Sequence, residues 1–401
     1  MNPSLALLVT IAAILLLLRL KLHPGPAVFI ASLLLAFLAL RPADIPQLVL
    51  SSLIDVQTLR LLSIIICALT MSRIMEMKGL LVRLANALEA IGPKLAIQVA
   101  PVAIGLLPLP GGALVSATAM KDLVRRLRLN PAQATFINFW FRHFCEFGTP
   151  VYPGVIMTGV FLAIPLSTVL LHLAPIWIFM LISGALLSSR ILRDSPVPDK
   201  NDAARSSIPR ELARSAWPVA LVFVLALLGL DAAPSFLVTV LALIVNQRLT
   251  LAEVKRGFAY GFNLKIIFLL CAVMVFKSVV EASGAAQALF DDMQTFGMPQ
   301  VVVLIALPML IGFSTGLSSA MVGISIPLLI PFIGTGSELN GMAFLVAYGA
   351  GGMGYLLSPL HLCLILSAEY FNARLLDVYH YLIPPALFVM VGITALYFLF
   401  A

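Results

Sequence analysis

Residues 138–154, Asn-Phe-Trp-Phe-Arg-His-Phe-Cys-Glu-Phe-Gly-Thr-Pro-Val-Tyr-Pro-Gly, place Arg142, His143 and Glu146 inside a hydrophobic stretch and then interrupt the backbone with Gly148, Pro150, Pro153 and Gly154. An ionisable side chain at mid-bilayer depth costs roughly 2.5–3.5 kcal/mol on insertion scales, so three close together argue for a function. Arg142 offers a fixed positive charge suited to a carboxylate or similar anion. His143 and Glu146 are titratable, as the groups of a proton carrier must be. The break beside them frees backbone amides and carbonyls, which a membrane tolerates only where protein or a water-filled cavity receives them. Buried charge next to a broken helix is how carriers build substrate sites. The structural alternative is an Arg142–Glu146 pair, four residues apart on one helical face, that neutralises itself. It leaves His143 and the break unexplained.

The elements that must hold these groups are apolar. With 61% hydrophobic and 11% charged residues and a mean hydropathy of +1.07, the 401-residue chain reads as an all-α polytopic membrane protein. At roughly 20 residues per crossing, it accommodates about ten transmembrane helices. The net charge of +7 lies in short loops, so it reflects topology and not nucleic-acid binding. Cys67, Cys145, Cys271 and Cys363 all fall in apolar runs without a CxxC pair, which indicates neither a disulfide framework nor a metal site, and no cofactor is called for. The first apolar run, residues 5–20, lacks a basic region before it and a small-residue cleavage site after it, and reads as an uncleaved span.

Two regions read as re-entrant hairpins, at about 95–120 and 300–334, each followed by a broken helix, at about 132–164 and 343–370. The second of these is interrupted at Gly349, Gly351, Gly352 and Gly354 and again at Ser358-Pro359. Between the halves, residues 190–215 form a polar, basic linker, cytoplasmic by the positive-inside rule. Residues 79–92 carry apolar side chains on one helical face, as an interfacial helix does. The same face recurs 205 residues later, and that shift also carries Glu76 onto Glu281, Gly79 onto Gly284, Gly92 onto Gly297 and Gly111 onto Gly316. The pattern argues for a duplication, with repeats at 1–189 and 216–401. Basic residues crowd the stretch 73–128 and are missing from 281–340, so the two repeats are expected to be inverted in the membrane, with both termini outside.

Pro110-Gly111-Gly112-Ala113, Phe147-Gly148-Thr149-Pro150 and Ser358-Pro359-Leu360-His361-Leu362-Cys363 mark the two breaks and the first tip. In these motifs and in architecture the chain resembles the ion transporter superfamily of divalent anion/sodium symporters and citrate and gluconate carriers. It is most similar to an uncharacterised prokaryotic membrane family near the gluconate carriers. The resemblance implies an inner-membrane secondary transporter, an elevator motion, a homodimer in the lipid bilayer and a small organic anion as substrate. Where the sodium-coupled members carry Ser-Asn-Thr at the tips, this chain has Ser116-Ala117-Thr118 and Ser318-Ser319-Ala320. That departure favours H+ as the coupling ion, with Na+ the alternative.

Gly111, Gly112 and Gly316 allow close backbone approach and leave amides free at a helix start, which suits an anion, or they form plain tight turns. Ser116, Thr118, Thr149, Ser314, Thr315, Ser318, Ser319 and Ser358 are further substrate candidates, although such hydroxyls often bond their own helix. His361, next to a Pro-broken turn, binds a substrate or a proton, or makes a structural hydrogen bond. Glu146 and His143 are the proton-coupling candidates. The rival functions are a proton or cation antiporter and, less well supported for want of an HExxH pair or a nucleophile elbow, a membrane-embedded enzyme.

Overall fold

A computed structural model describes residues 2–80, 83, 92–108, 112–193, 195–196 and 208–400. The interfacial helix expected over 79–92 and most of the linker fall largely outside the described residues, and Gly111 falls outside them entirely. The chain is helical: α1 (Pro3–Arg19), α2 (Pro24–Ala39), α3 (Ile45–Ile54), α4 (Val56–Met77), α5 (Pro93–Gly105), α6 (Gly112–Arg126), α7 (Pro131–His143), α8 (Pro153–Phe161) and α9 (Leu166–Ile191). After the linker come α10 (Ile208–Leu227), α11 (Ala232–Asn246), α12 (Leu251–Gly261), α13 (Leu264–Ser283), α14 (Ala285–Thr295), α15 (Gln300–Thr315), α16 (Ser318–Ile333), α17 (Gly341–Leu356), α18 (Leu362–Phe371) and α19 (Leu375–Phe400).

Among the described residues, four helical stretches are long and apolar enough to cross a membrane: Val56–Met77, Leu166–Ile191, Leu251–Ser283 and Leu375–Phe400. Nine shorter apolar helices accompany them. The outward faces of α9 and α19 carry exposed Leu171, Leu186, Leu387, Val391 and Phe398, a surface that suits lipid.

Two short helices, α3 and α12, precede α4 and α13. Pro46 starts α3, and Asp55 ends it while capping α4 through the Gln57 amide. At α12, Thr250 and Glu253 form a reciprocal capping box.

The second broken helix also differs from expectation. Helix α17 runs without interruption through Gly349, Gly351, Gly352 and Gly354, and the break falls only at 357–361. These glycines permit close approach instead. A Cβ on Gly354 would overlap the Met309 backbone of α15, and one on Gly312 would overlap the Gly351 backbone of α17. Small residues that let backbones meet are the usual means of joining helices in lipid. Gly354→Val is therefore expected to destabilise the fold by about 2–3 kcal/mol or more, since backbone and not a flexible side chain stands in the way. Thermal unfolding in detergent would show a clear fall in midpoint relative to wild type, and an unchanged midpoint would contradict the close approach.

Candidate functional site

Asn130 opens α7 with a capping box to Gln133, and Pro131 supplies the first turn. The helix stops at His143, where a 3-10 turn (Phe144–Phe147) tightens the chain, and α8 begins at Pro153. Thr149 Oγ1 closes the turn on the Cys145 carbonyl at 2.9 Å. The α-helix ends before Glu146, so Arg142 and Glu146 are joined across a 3-10 turn and remain close enough to interact.

The other break is held by its own contacts. Ser358 Oγ donates to the Phe313 carbonyl at 2.6 Å, and Tyr379 donates to the Leu357 carbonyl at 2.9 Å. Gly316, the cap of α15 with φ +63°, lies against the 360–361 backbone, where a Cβ would come within 2.9 Å of the His361 nitrogen. A left-handed residue pressed on another backbone is a position for glycine.

These breaks meet. Helix α18 packs on α6 and α7, while α16 packs on α8. Asn138 ties three elements together by donating to the Ala113 carbonyl of α6 at 3.1 Å and to Ser367 Oγ of α18 at 2.9 Å. Arg142 is 3% exposed, and its guanidinium lies over Gly112 at the first turn of α6. That turn carries no acidic residue. The same guanidinium donates from Nη1 to Cys363 Sγ at 3.4 Å. Glu146 lies in the electrostatic reach of Arg142, with the Tyr355 hydroxyl close by. His143 and His361 face one another with Nε2 atoms 2.9 Å apart. Their Nδ1 atoms sit 2.7 Å from the Phe139 carbonyl oxygen and 3.1 Å from that of Tyr355. Three donor atoms, from His143, His361 and Cys363, lie within 4.8 Å of one another.

The structure thus brings Arg142, Gly112, His143, Glu146 and His361 together, with Thr149 in the adjoining turn. The remaining candidates are placed as follows. Ser116 donates to the Gly112 and Ala113 carbonyls of its own helix at 3.1 and 3.2 Å, and Thr315 to the Ile311 carbonyl at 2.9 Å. Thr118 is exposed and donates to Leu114 at 2.7 Å. Ser318 lies beside Gly154 at the start of α8, and Ser314 and Ser319 are half-buried. Ser358 holds its own break. Sequence reasoning missed Cys363 and Tyr355. Cys363 sits two residues beyond His361 in a motif already noted for the break, and that proximity was the available signal.

An all-α chain with several membrane-length apolar helices, folded around a buried arginine where two helix breaks converge, is a polytopic membrane protein. Its residues 1–400 match the family described as Protein of unknown function (DUF401), and the chain belongs to that family. Its fold is similar to that in a crystal structure of the Alcanivorax borkumensis YdaH transporter, with a TM-score of 0.54, 16% sequence identity and 83% of each chain covered. A search of curated proteins finds no match.

Proposed function

We propose that the protein is a secondary active transporter of a small organic anion of the carboxylate type, proton-coupled, working by elevator-like alternating access in a prokaryotic inner membrane. One observation carries this reading: the Arg142 guanidinium, almost wholly buried, is set against the first turn of α6 where the breaks of both halves converge. A guanidinium and helix-terminal amides together suit a carboxylate. The fold shared with a protein described as a transporter is consistent with that use. Glu146, buried within reach of Arg142, is the coupling group in this account. His143, the other candidate for that task, faces His361 instead.

The inverted repeat is supported by matching packing. Helix α6 of the first half meets α18 of the second, and α16 of the second meets α8 of the first. Gly79 and Gly284, 205 residues apart, take φ values of +63° and +62°. Helices α3 and α12 occupy corresponding places in the two halves. In this scheme the basic end of the first hairpin is cytoplasmic and the corresponding end of the second is outside. With the four native cysteines replaced, a cysteine at Arg125 should react with an impermeant maleimide only from the cytoplasmic side, and one at Ser337 only from the other; both positions are exposed. Labelling of both from one side would remove the inversion.

Binding itself is open to test on the purified protein. A panel of carboxylates should include one that raises the unfolding midpoint, by about 2.7 kcal/mol of stabilisation at 100 times its Kd, while its uncharged amide does not. If no carboxylate stabilises the folded protein, or amides serve equally well, the anion site is misassigned.

A further inference from the structure

The His143–His361 contact does not balance in protons. Carbonyl oxygens only accept hydrogen bonds, so the two contacts to Phe139 and Tyr355 each require a proton on Nδ1. A neutral imidazole carries one proton, which leaves both Nε2 atoms with a lone pair, 2.9 Å apart. Moving either proton to Nε2 would satisfy the central contact and strand a lone pair against a carbonyl. Three contacts therefore share two protons, and the pair lacks one cation. Both rings are buried, at 0% and 6% exposure, so water does not make up the deficit.

We propose that His143, His361 and Cys363 form a binding site for a thiophilic divalent ion of the Zn2+ class, seated between the two helix breaks. Imidazole and thiolate are the donors such an ion prefers. In tetrahedral coordination, metal–nitrogen bonds of about 2.0–2.1 Å and a metal–sulfur bond of about 2.3 Å place donor atoms roughly 3.3–3.6 Å apart. The observed spacing, 2.9 Å between nitrogens and no more than 4.8 Å in the set, brackets that range, so modest side-chain rotation admits the ion. The outer contacts have the form that metal-bound histidines adopt: each ring gives its other N–H to a backbone carbonyl, which fixes the tautomer and aims Nε2 inward. The thiolate form of Cys363, which a metal ligand requires, places its charge opposite the Arg142 guanidinium 3.4 Å away. Cys363 is also the half-buried member, giving the cluster its approach. Three protein donors leave a coordination position for water or an exogenous ligand. A proton would fill the same deficit, but it would give Cys363 no part in the site.

The test uses Co2+ as an optical probe on the full-length protein in nanodiscs, stripped with chelator and kept reduced with a phosphine. The wild type should develop cobalt–thiolate absorption, saturating at one ion per chain and abolished by Zn2+. The absorption should be lost in Cys363→Ser and in His361→Asn but kept in Cys145→Ser. A second measurement needs no substitution at the site: Zn2+ should slow alkylation of Cys363 at least tenfold, reversibly with chelator. Failure of the wild type to develop the absorption, its survival in Cys363→Ser, or alkylation indifferent to Zn2+ would each overturn the assignment. A wild type that binds no ion while the histidines are shown to share a proton would do the same.

Discussion

Arg142→Ala should abolish carboxylate binding while the protein still inserts and runs as a single species on size exclusion. The side chain is 3% exposed and lies against the first turn of α6, so an anion bound there would be held away from competing water. Removing one partner of a buried, hydrogen-bonded charge pair typically costs about 2–5 kcal/mol, which is roughly thirtyfold or more in Kd. Arg142→Lys should recover only part of that loss, because an ammonium keeps the charge and gives up the planar two-pronged geometry. The measurement is titration of radiolabelled carboxylate onto purified wild type and variants. Wild-type affinity in Arg142→Ala would reduce the residue to packing.

Glu146→Gln should separate movement of the substrate from its coupling. The amide keeps the shape of the side chain and an acceptor oxygen, but it takes up no proton between pH 5 and 8. Exchange of substrate across the membrane, which needs no net proton movement, should persist within a few-fold. Accumulation driven by an imposed pH gradient, inside alkaline, should disappear. The sign follows from the scheme: a proton enters with the anion on the acidic side and leaves on the alkaline side, so an inward gradient accumulates substrate only if the coupling group takes up a proton on one side, releases it on the other and returns without it. Gradient-driven accumulation that survives in the variant would move coupling to another group, and uptake that requires sodium while ignoring the pH gradient would replace the ion altogether.

Much of this arrangement was legible before any coordinates. Pro131, Gly148, Pro150 and Pro153 punctuate an apolar run strongly enough to locate the first break, because proline at the start of a helix and ahead of one leaves few alternatives. The second break was only half legible. The glycines from 349 to 354 look like helix breakers in isolation, yet in the fold each lies against a neighbour, Gly354 on the Met309 backbone of α15, Gly352 on Phe147, Gly351 on Met321 and Gly349 on Ile393, and packing outweighs their weak helix propensity. Ser358 and Pro359 carried the true signal. Helix α12 had its own marker in the Thr250–Glu253 box, obscured by the basic residues around it. The His143–His361 contact was beyond reach, because it joins residues 218 apart in sequence through the docking of α18 on α7, and neither residue has a spacing motif. Cys363 was hidden for the converse reason. Its neighbours are apolar, so it reads as core until the fold turns it toward Arg142.

Counterflow would show whether this chain carries an organic anion across a membrane. Proteoliposomes loaded with an unlabelled carboxylate that binds the purified protein are diluted into trace radiolabelled compound, with no imposed ion or pH gradient. Unaltered label should accumulate transiently above its outside concentration, an effect lost in Arg142→Ala and retained in Glu146→Gln. Label that never accumulates with any carboxylate that binds, or label recovered as a chemically changed product, would contradict anion transport.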